Sequence, residues 1–81
     1  MSLPWYHVST IKNRAAKIRN KANGIRKLAS LISESMLSED YRVAIFYIDT
    51  IEEHLKDMLK YCEDMRNLLI KNGVTGNEGK N

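Results

Sequence analysis

The chain is 81 residues long, with a formal net charge of +3, 43% hydrophobic residues and 28% charged residues. This length permits one small domain, and this composition excludes a chain that is disordered throughout. One proline and four glycines are too few for the frequent turns of a β-sandwich or β-barrel, so the composition predicts an all-α fold.

Residues 1–8 are predicted to form an apolar arm that precedes the first helix. They lack a basic segment followed by a long apolar run, and so predict neither a secretory signal nor a membrane span. The single cysteine, Cys62, cannot form an intramolecular disulfide, which favours an intracellular protein. We therefore expect a cytoplasmic protein with no membrane partner.

Apolar residues at alternating steps of three and four predict a first helix over residues 9–37, capped by Ser9 or Thr10. They form a heptad seam of nine positions: Val8, Ile11, Ala15, Ile18, Ala22, Ile25, Ala29, Ile32 and Met36. Gly24 lies inside this helix, where glycine costs about 0.5–1 kcal/mol relative to alanine. It indicates either the close approach of a partner or a tolerated kink.

A second helix is predicted over residues 38–72 from another heptad seam of the same length. The seam consists of Tyr41, Ala44, Ile48, Ile51, Leu55, Met58, Cys62, Met65 and Leu69. Ser38, followed by two acidic residues, is typical of a helix start, and Asn72 followed by Gly73 is typical of a helix end. Residues 73–81 are predicted to be a flexible tail.

The short connection between two equal seams predicts an antiparallel two-helix hairpin. Centring the turn on Asp40 places Ala22 opposite Met58 and Ile18 opposite Cys62, which puts the cysteine in the core. The second helix is more apolar than one neighbouring helix can cover. Its flanking residues are predicted to form a homodimer interface: Ile45, Tyr47, Leu59, Tyr61 and Leu68. Two hairpins would then form a four-helix bundle; the alternative is a monomer whose N-terminal arm folds over this strip.

Charge is divided unevenly between the two predicted helices. Residues 9–37 carry seven basic side chains and one acidic side chain, whereas residues 38–72 carry five basic and eight acidic side chains. The outer face of the first helix aligns residue types that contact phosphates and base edges. We predict that these residues bind nucleic acid: Asn13, Arg14, Lys17, Asn20, Lys21, Gly24 and Lys27. The alternatives are a charged face that is only solvated and a face that binds an acidic protein.

Two equal seams joined by a short turn resemble the plasmid-encoded RNA-binding hairpins of the Rop type. That resemblance implies a dimeric four-helix bundle that presents one pair of helices to RNA. It covers the two seams and the turn. No residue motif of that family lies on this chain, so no site residues follow from it.

The sequence contains no catalytic or metal-binding arrangement. A di-iron bundle needs a glutamate three residues before a histidine, but Ile51 holds that place before His54. Zinc would need paired cysteines or histidines at short spacing, which one cysteine and two histidines do not supply. We therefore expect no enzyme activity, no metal and no cofactor.

The sequence predicts a small non-catalytic binding or regulatory protein that presents its first helix to RNA or DNA. The alternative is a protein-interaction module, such as an adaptor, an inhibitor or an assembly subunit, that uses the apolar flank of the second helix. Membrane-surface binding by the first helix is a weaker alternative, because the seam already uses the apolar stripe of that helix.

Overall fold

The computed structural model describes residues 3–74, which form two long helices, α1 (Trp5–Leu37) and α2 (Tyr41–Lys71). The two helices pack against each other, so the predicted all-helical hairpin is confirmed. The molecule measures 55 × 28 × 15 Å, which is a single layer two helices wide. The part of the predicted tail beyond residue 74 lies outside the described residues.

Helix α1 begins at Trp5, four residues before the predicted start. Pro4 precedes it, and the Pro4 carbonyl accepts hydrogen bonds of 3.0 and 3.1 Å from two backbone N–H groups of the first turn. Proline suits a helix start because the first N–H groups of a helix have no intrahelical acceptor. A cap at Ser9 or Thr10 is wrong, since both residues lie inside the helix. Trp5 is 79% exposed, so the alternative of an arm folded over the hairpin is also wrong.

Both helices end in the same backbone motif. Glu39 after α1 and Gly73 after α2 have positive φ angles of 58° and 91°. The N–H of the next residue then donates back to the last helical turn, as from Asp40 to the Ser35 carbonyl at 2.8 Å. This conformation suits glycine, whereas it costs a residue with a Cβ atom about 1–2 kcal/mol.

The start of the second helix differs from the prediction. Ser38 caps the C-terminus of α1, and its hydroxyl donates a hydrogen bond of 2.8 Å to the Glu34 carbonyl. Asp40 is the N-cap of α2, where its carboxylate accepts a hydrogen bond of 3.4 Å from the Val43 N–H. An acidic N-cap also complements the positive end of the helix dipole.

Buried and half-buried residues at heptad spacing lie between the helices. In α1 they are His7, Ile11, Arg14, Ile18, Lys21, Ile25, Leu28, Ile32 and Ser35. In α2 and at its C-cap they are Ala44, Tyr47, Ile51, His54, Met58, Tyr61, Met65, Leu68 and Asn72. The isoleucine column of the first predicted seam is therefore correct. Within residues 3–74, only Ala44 and Ser35 are fully buried, so the hairpin by itself has almost no core.

The other half of the predicted seam is rotated out of the contact between the helices. Ala15, Ala22 and Ala29 are exposed, although the prediction placed them against α2. The pairing register also differs, because Lys21 pairs with Asp57, whereas the prediction placed Ala22 opposite Met58. A larger side chain at Ala22 would therefore not overpack the contact between the two helices of one chain.

Candidate functional site

The residues predicted to bind nucleic acid share one side of α1, but only some of them face outward. Asn13, Lys17, Asn20 and Lys27 are exposed. Arg14, Lys21 and Gly24 are half-buried against α2, so their predicted outward placement is wrong. We call this surface the polar side: Arg14, Lys17, Lys21 and Gly24 of α1 with His54, Asp57, Tyr61 and Asp64 of α2.

Two ion pairs join the helices on the polar side. The Lys21 Nζ lies 3.0 Å from an Asp57 carboxylate oxygen, and the Arg14 Nε lies 3.6 Å from an Asp64 carboxylate oxygen. The second distance is too long for a hydrogen bond, and the buried Arg14 Nε has no hydrogen-bond partner. These side chains are 29–47% exposed, so each pair contributes less than about 1 kcal/mol. Both cations are partly neutralised and are less available to phosphate.

Tyr61 packs beneath two cations of α1. The Arg14 guanidinium carbon lies 5.9 Å from the ring centroid, and the Lys17 Nζ lies 5.7 Å from it. Both distances fall within the range of cation–π attraction. Tyr61 therefore contributes to the contact between α1 and α2 of one chain. Tyr47 and Leu68 are half-buried at the same heptad position as Tyr61, so three of the five residues predicted to form the dimer interface lie toward the contact between α1 and α2.

Gly24 makes room for the His54 imidazole. A Cβ atom at Gly24 would lie 3.3 Å from the His54 Nε2 and 3.5 Å from the His54 Cδ2. The first distance is shorter than an ordinary van der Waals contact, so a side chain at this position would force the imidazole to move. Of the two alternatives for Gly24, the structure shows a close approach, made by a side chain of α2 in the same chain and not by a partner, and helix α1 runs through this glycine without a break.

The opposite side of the hairpin is apolar, and we call it the apolar side. It comprises Val8, Ile11, Ala15, Ile18, Ala22, Ile25, Ala29, Ile32 and Met36 of α1 and Tyr41, Ala44, Ile48, Ile51, Leu55, Met58, Cys62, Met65 and Leu69 of α2. These are the two predicted seams. One column of each seam borders the contact between the helices, namely the isoleucines of α1 and Ala44, Ile51, Met58 and Met65 of α2. The other column of each seam lines one face of the layer. Met36, Ile48 and Leu55 are 52%, 45% and 51% exposed. Cys62 is half-buried, whereas the prediction placed it in the core.

The remaining predicted interface residues flank the apolar side. Ile45 and Leu59 are 57% and 59% exposed and follow residues of the apolar side along α2. The five residues of the predicted dimer interface are thus divided between the helix–helix contact and this edge. The exposed apolar surface is therefore wider than the five-residue surface that was predicted to form the dimer interface.

Five basic side chains of α1 are exposed and form no salt bridge within residues 3–74: Lys12, Lys17, Arg19, Arg26 and Lys27. Lys17 and Lys27 lie with Asn13 and Asn20 along the outer margin of the polar side. We call these four residues the basic edge. Its amide and ammonium groups can contact phosphate oxygens and base edges without displacing α2.

Among the described residues, no three His, Cys, Asp or Glu side chains lie close enough together to hold a metal ion. Neither of the two described helices has the length and apolar character needed to cross a membrane. In comparisons with known proteins, no protein family, no curated protein and no solved structure matches this chain. Residue roles therefore have to be inferred from this chain itself.

Proposed function

We propose that this chain is a non-catalytic binding protein that associates as a homodimer in a four-helix bundle and presents the basic edge of α1 to RNA or DNA. The proposal places it in the cytoplasm, where a single cysteine remains reduced. The observation that supports the nucleic-acid function is that Lys17 and Lys27 of the basic edge are exposed and form no salt bridge within residues 3–74.

The proposed contacts with nucleic acid are fewer than the seven residues that the sequence predicts. Asp57 and Asp64 lie beside Lys21 and Arg14, and their carboxylates would repel an approaching phosphate. Lys17 and Lys27 are exposed and pair with no carboxylate within residues 3–74, so they can bind phosphate while Asn13 and Asn20 reach base edges. Arg14 and Lys21 then serve mainly to hold the two helices together.

Fluorescence anisotropy with labelled RNA hairpins, duplex DNA and single strands tests this function across a salt series. Removing one phosphate contact lowers the slope of log affinity against log salt by about one. Lys17→Ala and Lys27→Ala should each weaken binding and reduce this slope. Asn13→Ala or Asn20→Ala should instead change the preference among sequences.

Lys56→Ala is the matched control, because Lys56 is an exposed lysine of α2 that lies 3.6 Å from Glu53 and away from α1. This variant should bind like the unmodified protein. Equal losses in Lys17→Ala and Lys56→Ala would show that attraction is spread over the whole chain. Binding no tighter than about 10⁻⁴ M for every probe would exclude the nucleic-acid function.

The exposure of Ile45 and Leu59 favours a second candidate, a protein-interaction module that binds helices of another protein. In that case the basic edge would serve solubility or an acidic partner. The anisotropy series separates the two candidates, since a module of this kind would show no selective loss at Lys17 or Lys27.

A further inference from the structure

The apolar side exposes large apolar side chains, since Met36, Ile48 and Leu55 are 52%, 45% and 51% exposed. One outer apolar column of each helix, beside the two columns that border the helix–helix contact, runs along one face of a layer that is only 15 Å thick. Contiguous apolar surfaces of this kind mark interaction sites.

We propose that a second copy of this chain covers the apolar side, with α1 of each copy lying along α2 of the other. This inference rests on the proposed self-association and names the surface and the orientation that produce it. It moves the dimer interface from the predicted flank of α2 to both helices of the hairpin.

The size of the apolar side fits a second copy. Each seam spans 29 residues, from Val8 to Met36 and from Tyr41 to Leu69. At 1.5 Å per residue and a helix separation of 8–10 Å, the two seams cover about 43 Å by about 19 Å, or about 800 Å² on each partner. Specific protein complexes of standard size bury about 800 Å² on each partner. Two equal faces of the same length also cover each other completely.

The shapes of the two helices are complementary in this orientation. On the apolar side, the outer column of α1 is mostly alanine, whereas the outer column of α2 carries Ile48 and Leu55. With α1 on α2 of the other copy at the same height, Ala22 meets the partner subunit's Leu55 and Ala29 meets the partner subunit's Ile48. Pairing small residues with large ones fills space without overpacking.

Charge at the edge of the interface favours the same orientation. Lys12, Arg19 and Arg26 follow the isoleucines of α1 and therefore flank the apolar side. With α1 on α2 of the other copy, Arg26 lies beside the partner subunit's Glu52 and Lys12 lies beside the partner subunit's Arg66, so one attractive pair offsets one repulsive pair. If α1 lay on α1, Arg19 would lie beside the partner subunit's Arg26 twice in each dimer. Repulsion between like charges would disfavour that arrangement.

Sedimentation equilibrium without nucleic acid tests the surface. The full chain should have twice the monomer mass of 9.4 kDa at micromolar concentration. Leu55→Asp should raise the dimer dissociation constant at least about 100-fold, because association would bury the new carboxylate. Phe46→Asp is the control: Phe46 is 64% exposed on α2 outside the apolar side, and its replacement should leave the mass unchanged. A monomer at every concentration, or a dimer that Phe46→Asp disrupts and Leu55→Asp does not, would overturn the inference.

Disulfide trapping tests the orientation and does not require a destabilising substitution. Under mild oxidation, Ala15→Cys should form an interchain disulfide with native Cys62, and most of the protein should migrate as a covalent dimer. Ala22→Cys in a Cys62→Ala background should form no interchain disulfide. The two copies of residue 22 come together only if α1 of one subunit lies on α1 of the other. The opposite result would overturn the proposed orientation. A monomer that still binds nucleic acid would refute the dimer and leave the function of the basic edge standing.

Discussion

Replacing Leu55 measures how much the apolar side contributes to association. Fully burying a leucine side chain contributes about 1.5–3 kcal/mol, and Leu55 is 51% exposed in the hairpin. About half of that free energy, ~0.8–1.5 kcal/mol per copy, is therefore available to the dimer. A symmetric dimer contains two copies of each contact. Leu55→Ala should thus weaken association by about 1.5–3 kcal/mol, or about 10- to 150-fold in the dissociation constant.

The effect can be assigned to a particular contact by exchanging the two residues that we expect to meet. Ala22→Leu alone should overpack the interface at a cost of about 1–3 kcal/mol for each contact. The double variant Ala22→Leu/Leu55→Ala restores the total volume, so it should associate more tightly than either single variant. Dissociation constants of the four proteins form a double-mutant cycle that isolates the interaction between the two positions.

The proposed contact is wrong if the double variant loses as much association free energy as the two single variants lose together. That result would mean that Ala22 and Leu55 do not meet across the interface. In an isolated hairpin both side chains are exposed, so neither single variant should change the mass or the melting temperature by much. A melting temperature that does not depend on protein concentration would also contradict the dimer.

Two further predictions concern the hairpin itself and are checked by urea denaturation. Gly24→Ala should gain less than the usual ~0.5–1 kcal/mol of helix propensity, because the new Cβ would lie 3.3 Å from the His54 Nε2. In a His54→Ala background the full gain should appear, and equal gains in both backgrounds would show that the contact is unimportant. Glu39→Gly should stabilise the hairpin by about 0.5–1 kcal/mol, since it relieves the positive φ of 58°. Glu34→Gly, inside α1, should instead destabilise it by about 1 kcal/mol, and a loss of stability in Glu39→Gly would contradict the strain assigned to this residue.

The sequence was sufficient to predict two long helices and the hairpin, because heptad spacing and a short connection leave few other arrangements. The isoleucine column of α1 was also predictable. The other interior column was not, since Arg14 and Lys21 replace the alanines between the helices. A heptad pattern identifies an apolar stripe, but that stripe is wider than the contact between two helices. Long basic side chains can fill the contact with their aliphatic stems, which a count of apolar residues does not reveal.

The polar side had a signal that the sequence analysis missed. Arg14 and Lys21 are seven residues apart in α1, and Asp57 and Asp64 are seven residues apart in α2. Equal spacing of opposite charges on two antiparallel helices allows both ion pairs to form in one register. In the structure the two ion pairs measure 3.0 and 3.6 Å between nitrogen and carboxylate oxygen. The register that brings them together leaves the alanines of α1 facing outward and differs from the predicted pairing of the helices. The predicted heptad register put only apolar residues between the helices, and it therefore left Arg14 and Lys21 beside the outer face.

The surface proposed for assembly and the surface proposed for nucleic-acid binding face different directions. The basic edge lies at the margin of the polar side, and the apolar side faces the opposite direction, so a second copy would leave Lys17 and Lys27 exposed in both chains. Association then doubles the number of basic edges on one particle without altering either edge. Nucleic acid that spans both edges would bind the dimer with a higher effective concentration than the monomer, and nucleic acid that reaches only one would not. Comparing the affinity of long and short probes for the native protein and for Leu55→Ala therefore shows whether the dimer is part of the binding site or only stabilises the hairpins that carry it.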